Sequence, residues 1–364
     1  MQYQYPVYQP LLDGNEKNYV NECLDSTWIS SKGRFISEFE SKFSEFTKIK
    51  YSIAVPNGTI ALHLALLTLG VGKGDEVIVP TLSYVASANA VTYTGANPVF
   101  VDSMYGTWQI DPSDVRKKIT KRTKAVMPVH LYGFPSDMNE IKKIAGENNL
   151  LIIEDCAEAF GTKLQEKHIG NFGNISAFSF FGNKTITTGE GGMVSTNNKK
   201  LFQLATRLKG QGLAKNREYW HDIVGYNYRM TNICAAIGLA QLERAEMIIS
   251  RKRQIAEWYH TLLSDLSVEF HQEVQGIFHS YWMVNFLVNN YKDRDKLRDH
   301  LKKNGIETRP VFFPIHTMPI YRNNKHKFPV AEDIARRGIT LPSYPGLTRE
   351  DVLFISNKIR DYYN

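Results

Sequence analysis

Cysteine is scarce in this chain, with three residues (Cys23, Cys156 and Cys234) among 364. Thiols so few and so scattered exclude a disulfide framework and a cysteine-built zinc site, and they suit a reducing cytoplasm. Long apolar runs are missing as well. The longest, Thr59 to Gly72, contains His63 and falls short of the ~18 residues that a membrane span needs. The opening MQYQYPVYQP has no basic stretch followed by an apolar core, so no secretory leader is expected. No G-x-x-x-x-G-K-[ST] occurs, because Gly70-Val71-Gly72-Lys73 lacks both the upstream glycine and the following hydroxyl residue. No G-x-G-x-x-G follows a strand pattern either, which removes P-loop and nicotinamide-binding Rossmann chemistry. Internal repeats, low-complexity tracts and a basic tail are also absent.

What is present is an ordinary globular composition, 43% hydrophobic and 22% charged. The length leaves room for two domains at ~150 residues each. Lys and Arg total 44 against 37 Asp and Glu, a net charge of +7. These cations are spread along the chain, with only short clusters such as Arg116-Lys117-Lys118 and Arg251-Lys252-Arg253. That pattern describes a mildly basic solvated surface without a nucleic-acid face, and a positive field also favours a phosphate-bearing substrate.

Phe35, Phe39, Phe43 and Phe46 recur at helical spacing in RFISEFESKFSEF and predict an amphipathic helix from Arg34. Short apolar runs then alternate with helical patterns. YSIAV (51–55), EVIVP (76–80), NPVFV (97–101), KAVMPVH (124–130), LLIIED (150–155), ISAFSFF (175–181) and GMVST (192–196) read as strands. TIALHLALLTLG reads as a buried helix, and Ser136 is the expected N-cap of the helix carrying Met138, Ile141 and Ile144. Val- and Ile-rich runs without polar alternation suit strands buried on both faces of a parallel sheet, so the fold class is α/β. From Thr231 a long helical stretch, two helices or one bent one, leads into a smaller C-terminal domain. There SYWMVNFLV (280–288) and ETRPVFF are expected strands, and DRDKLRDHLKKNG is a helix closed by Gly305. Thr348-Arg349-Glu350-Asp351 resembles a capping box that starts a last helix.

Four features look chemical, and they fall at the ends of expected strands, where open α/β sheets hold ligands. Asn57-Gly58-Thr59 opens a helix and is either an ordinary cap or a phosphate cradle. Glu154-Asp155 ends an apolar strand, where a carboxylate demands a cationic partner, structural or functional. Lys184 is delivered by the strand in SFSFFGNKTITTGEGGM into a Gly- and Thr-rich loop. It is either a surface lysine or a desolvated amine fit for Schiff-base chemistry. Gly225-Tyr226-Asn227-Tyr228-Arg229-Met230 precedes the long helix, as packing or as a reach across a subunit interface. Together they form the set that pyridoxal 5′-phosphate asks for: an amine, a carboxylate for the pyridine nitrogen and a phosphate cradle.

With these residues in view, the sequence resembles the DegT/DnrJ family of sugar aminotransferases. The resemblance runs from WISSKG (28–33) to ETRPVFFPIHTMP (307–319), through PNGTIALHLAL, EDCAEAFG, SFFGNKTITTGEGGM and GYNYRMTNICAAIGLAQL. It implies the fold type I aminotransferase architecture of a large, mostly parallel-sheet domain and a small C-terminal α+β domain. We expect these over residues 1–245, N-terminal segment included, and 246–364. The resemblance also implies pyridoxal 5′-phosphate as cofactor, no metal, and a homodimer with shared active sites. Lys184 matches the lysine that attaches the cofactor and shuttles the proton, and Asp155 matches the partner of the pyridine nitrogen. Gly58, Thr59 and Ser179 match phosphate ligands, Tyr84 a ring stacked on the cofactor, and Glu158 a residue on its hydroxyl side. Asn227 matches a residue that the neighbouring subunit offers to the phosphate. His316, Arg309, Trp28 and Lys32 are expected substrate contacts.

The activity implied is transfer of an amino group from L-glutamate to a GDP-linked 4-keto-6-deoxy-mannose, in the service of O-antigen or another surface polysaccharide. UDP- or dTDP-linked keto sugars are the alternative substrates. Family members that act as 3-dehydratases carry histidine in place of the lysine, and position 184 is lysine here. A non-catalytic binding protein that keeps the fold is a third reading, against which the complete set Lys184, Asp155 and Ser179 stands.

Overall fold

Strands that are apolar at every position need cover on both faces, and helices on each side of one sheet provide it. The computed structural model describes residues 3–271, 273–322 and 326–363. Its first part runs α1 (Glu16–Asp25), α2 (Arg34–Thr47), β1 (Tyr51–Val55), α3 (Gly58–Thr68), β2 (Glu76–Pro80), α4 (Ala86–Tyr93) and β3 (Asn97–Val101). Then follow α5 (Pro112–Lys118), β4 (Thr123–Val126), α6 (Met138–Glu147), β5 (Leu151–Asp155), the short β6 (Lys163–Leu164) and β7 (Lys167–His168), β8 (Ile175–Ser179), β9 (Gly192–Thr196) and α7 (Lys199–Lys209). Seven strands form one sheet in the order β1-β9-β8-β5-β4-β2-β3, with β9 the antiparallel member between β1 and β8. The remaining pairings are parallel.

Because successive side chains leave a strand on opposite faces, Ile53 and Val55 pack with α3, α4 and α7, whereas Ala54 packs with the phenylalanine stripe of α2. The stripe of Phe35, Phe39 and Phe43 is fully buried. Ile78, Val126 and Ile152 meet α5 and α6.

After the sheet come α8 (Asn232–Glu243) and α9 (Ala245–Leu262), which break at Arg244, so the long helical stretch is two helices. The chain continues through β10 (Val268–Phe270), β11 (Ile277–Phe278), β12 (Val284–Val288), α10 (Asp293–Lys303), β13 (Arg309–Pro310), α11 (Pro329–Arg337), β14 (Gly338–Leu341) and α12 (Arg349–Tyr363). β10-β12-β14-β13 make an antiparallel sheet. One face packs on α9, α10 and α12. The other, with Leu287 and Val311, meets α11 and also Leu82, Leu131 and Tyr132 of the large-sheet layer. The start of the chain belongs to this second layer in space. Tyr5 N–H donates to Gly305 O, Glu307 N–H to Tyr5 O, Val7 N–H to Glu307 Oε2 and Ser343 N–H to Val7 O.

Several local expectations are met and some are corrected. Gly305 closes α10 at φ +76°, and Thr348 and Asp351 cap one another reciprocally at the start of α12. β4 ends at Val126, short of His130, because Pro128 has no N–H for a ladder. Ser136 is not the cap of α6. Its hydroxyl donates to Val129 O and its N–H to His130 Nδ1, and Asp137 caps the helix through Glu140 N–H. β12 starts at Val284, and only Arg309–Pro310 of the 307–313 run pairs as a strand. No helix among the described residues is long and apolar enough to cross a membrane.

Candidate active site

β5 delivers two carboxylates in succession, and the alternation of the strand sends them to different environments. Glu154 is fully buried and accepts N–H bonds from Gly170, Phe172 and Gly173 at 2.6–2.7 Å, with His130 Nε2 at 3.2 Å. His130 Nδ1 accepts the Ser136 N–H, so Nε2 carries the proton given to Glu154. Glu154 is thus a saturated structural group. Asp155 instead lines a cavity of about 620 Å³ between the carboxyl ends of the parallel strands and the C-terminal layer. Its Oδ2 accepts from Ser87 Oγ at 2.8 Å and its Oδ1 from Ala157 N–H at 3.1 Å. Burial pushes the Asp155 carboxyl up, and these two donors, with the Lys184 charge, pull against it.

Lys184 lies in the turn after β8, its side chain 13% exposed, with Nζ 3.7 Å from Glu158 Oε1. The same nitrogen sits over the Trp282 ring, 3.7 Å from its centroid. Burial lowers the lysine pKa, while the Glu158 and Asp155 charges oppose the shift. Glu158 is raised to about 7 by burial, and Lys184 and the Tyr132 N–H hold it back. An amine driven towards neutrality beside a carboxyl that titrates near neutral pH can take up and release protons at working pH.

The candidate phosphate cradle is the start of α3. Asn57 Oδ1 accepts the Ile60 N–H and the first ladder bond runs from Ala61 N–H to Asn57 O, so the Gly58 and Thr59 N–H groups stay outside the ladder. Both residues line the cavity with Ser179 from the end of β8. A Cβ on Gly58 would fall 2.7 Å from Ser179 Cβ, and one on Gly192 would fall 2.6 Å from the Asn57 carbonyl. Only glycine lets helix and sheet approach this closely. The cradle, the buried amine and the hydrogen-bonded carboxylate meet in one cavity, and that donor set fits the phosphate, aldehyde and ring nitrogen of pyridoxal 5′-phosphate.

Gly58, Thr59, Tyr84, Asp155, Glu158, Ser179, Lys184 and Arg309 therefore line one cavity, the Arg309 guanidinium lying 3.2 Å from Glu307 Oε1. Tyr84 is 59% exposed, with its ring 5.7 Å from that of Phe312. Four expected residues are not brought there by this chain. His316 bonds Thr81 Oγ1 through Nδ1 at 2.7 Å and lines a separate cavity of about 440 Å³. Trp28 and Lys32 are exposed on the segment between α1 and α2, which Asn232 ties to the start of α8. Asn227 is engaged by the Arg229 guanidinium at 3.0 Å.

Sequence reasoning missed Ser87, Tyr132, Trp282 and Phe312. Ser87 lies three residues after Tyr84 and four after a second serine, Ser83. Tyr132, at φ +56°, stacks with Trp282 and Phe312 into an aromatic wall, and nothing in the local sequence announces it.

The profile of the DegT/DnrJ/EryC1/StrS aminotransferase family matches residues 10–360. A protein of Escherichia coli O157:H7 named GDP-perosamine synthase is 60% identical over 99% of this chain and 98% of its own length. One of the same name from Vibrio cholerae is 50% identical over 99% of both. The solved structure of the aminotransferase TlmJ from Streptoalloteichus hindustanus superimposes with a TM-score of 0.94 at 29% identity, covering 100% of this chain and 99% of that one.

Proposed function

Because the chain belongs to the DegT/DnrJ/EryC1/StrS aminotransferase family, we propose that it aminates C4 of GDP-4-keto-6-deoxy-D-mannose with L-glutamate, giving GDP-perosamine and 2-oxoglutarate. It is a pyridoxal 5′-phosphate-dependent sugar aminotransferase with a nucleotide-sugar substrate. The observation that carries the proposal is the buried Lys184 amine beside Glu158, in the cavity that holds Asp155 and the cradle. Relatives at 60% and 50% identity that bear the name GDP-perosamine synthase support the choice of sugar and nucleotide.

In this reading the free N–H groups of Gly58 and Thr59 and the Ser179 hydroxyl would hold the cofactor phosphate, and Tyr84 would offer its ring to the cofactor. The Asp155 carboxyl, whose ionised form Ser87 and Ala157 favour, would keep the pyridine nitrogen protonated. Bound there, the cofactor supplies the electron sink through which an amino group passes from amino acid to keto sugar. Lys184 Nζ carries the proton between carbon and nitrogen, and Glu158 exchanges protons with it across 3.7 Å. Arg309 faces the incoming substrate at the cavity wall. Asn227 completes the partner's phosphate site in a homodimer, which is how a residue outside its own chain's cavity serves the reaction. Three free cysteines and a GDP-linked substrate agree with a cytoplasmic enzyme of surface-polysaccharide synthesis such as O-antigen.

The test is release of 2-oxoglutarate by the cofactor-loaded protein given L-glutamate and GDP-4-keto-6-deoxy-mannose. Release that depends on this sugar, and not on its UDP- or dTDP-linked counterparts, supports the reading. Bleaching of the cofactor colour by glutamate with no sugar-dependent release would keep the chemistry and overturn the substrate. Lys184→Ala should lower turnover at least ~10³-fold, because proton transfer by a positioned amine is lost. Its melting temperature should stay at or above that of the parent, since a buried cation has been removed.

A further inference from the structure

The turn that presents Lys184 has two successive carbonyls, those of Asn183 and Lys184, that take no part in the strand ladders. Each is met by one aromatic donor rooted in the C-terminal layer. Trp282 Nε1 donates to Asn183 O at 2.7 Å. The Tyr8 hydroxyl donates to Lys184 O at 2.5 Å. Both donors are long, stiff side chains with two rotatable bonds, so they fix a carbonyl at lower entropic cost than a lysine or glutamine would. Within the turn itself, only the Lys184 N–H bond to Phe181 O joins main-chain groups.

The seating of the two donors is unequal in sequence but shared in space. Tyr8 follows Val7, which is stitched into the C-terminal layer through Glu307 and Ser343. Under the Tyr8 ring, 5.1 Å from its centroid, lies the ammonium of the fully buried Lys252, which in turn donates to Ser343 O at 2.7 Å. Trp282 precedes β12, and its ring stacks on Tyr132 at a centroid distance of 5.9 Å. Trp282 therefore touches Lys184 twice: once through the backbone of the turn and once through its π face, 3.7 Å from Nζ.

We propose that Tyr8 and Trp282 form a two-point clamp through which the C-terminal layer and the start of the chain position the Lys184 amine. Tyr8 is a positioning residue, acting on the main chain alone. Trp282 also contacts the reacting nitrogen. The clamp couples the two layers to the chemistry: with either hydrogen bond lost, the turn still forms, but the amine samples orientations away from the cavity. The inference rests on Lys184 being the reactive amine, as proposed above.

Tyr8→Phe removes one hydroxyl and keeps the ring that covers Lys252. Trp282→Phe removes the Nε1 donor and keeps an aromatic face. Hydrogen exchange on the cofactor-free protein reads the clamp without any turnover. Amides of the 181–188 segment should exchange about 10-fold faster in Tyr8→Phe, as loss of a hydrogen bond of ordinary net strength implies. Exchange in α3 and α9 should be unchanged. In the loaded enzyme kcat should fall about 10-fold, with KM for both substrates held. Parental exchange at 181–188 in both variants, or parental kcat in both, overturns the clamp. If the parent itself fails to turn over the sugar while exchange at 181–188 still rises in the variants, the proposed substrate fails and the clamp stands.

Discussion

Burial raises the Asp155 pKa and two donors pull it back, one of them a side chain that can be removed cleanly. Deleting the hydroxyl in Ser87→Ala leaves only the Ala157 N–H on the carboxylate. A hydrogen bond to a charged group contributes about 1.5–3 kcal/mol, and one pKa unit is about 1.36 kcal/mol. The Asp155 pKa, already raised by burial, should thus climb further. In the proposed role, where the carboxylate form would hold the cofactor nitrogen, the acidic limb of kcat against pH should move to higher pH. The loss should be larger at pH 6 than at pH 8, and an unmoved limb would show that Ser87 does not set this ionisation.

Lys252 makes the same argument with the opposite charge. Burial lowers its pKa to about 7 from an ordinary 10.5. Between those values the unfolded chain binds more protons than the folded one, so stability rises with pH across that window and is lowest below 7. Lys252→Met removes the effect, while Ser343 O loses its donor at a cost of about 1 kcal/mol. The variant should exceed the parent in melting temperature by most at pH 7, and the margin should shrink as the pH rises towards 9.5. Lys184, shifted in the same direction, should keep part of the slope in place.

At the scale of elements, the α3 cradle depends on what is missing from two glycines. Gly192 pairs with Val55 on one side and Ser179 on the other, so it sits under the helix start at the centre of three strands. A Cβ there meets Asn57 backbone at 2.6 Å and Phe178 O at 2.9 Å, and neither can move without shifting a strand or the cap. Gly192→Ala should cost about 1–3 kcal/mol by overpacking. It should also weaken cofactor binding to the apoprotein at least ~10-fold, measured by titration, because the free N–H groups are displaced.

These elements were largely legible in the sequence, since a period of two or of 3.6 in apolar residues is a local property. The phenylalanine stripe of α2, the strands of the large sheet and the capping box of α12 all follow from it. Boundaries were legible only where a residue forces them. Pro128 ends β4 early, and Ser136 yields its cap to Asp137 because His130 and the Val129 carbonyl, six and seven residues back in the chain, claim its polar groups. The doublet Glu154-Asp155 shows the limit. Alternation says that the two point apart, but which one meets the cavity depends on the loop 170–173 that saturates Glu154.

At the scale of the whole molecule, the wall facing Lys184 comes from residues with no local signature, because Trp282 and Phe312 lie 98 and 128 residues from it in sequence. Only the folded layers bring them together. Asn227 stays outside the cavity of its own chain, and the homodimer with shared sites proposed above makes a strong prediction about mixtures. Asn227→Ala alone should lower turnover about 10-fold through weaker cofactor retention. Lys184→Ala homodimers should be inactive. In a mixed dimer, one site has Lys184 from the Asn227→Ala subunit and Asn227 from the Lys184→Ala subunit, so that site is intact. The other site carries both defects. Random reassociation of equal amounts makes half the dimers mixed, each with one good site of two, so activity should recover to about a quarter of the parent's. With sites confined to single chains, the mixture would instead give the plain average of the two variants. That average is about a twentieth of the parental rate, from 10-fold and complete losses, and assay after mild unfolding and refolding of the mixture distinguishes the two values.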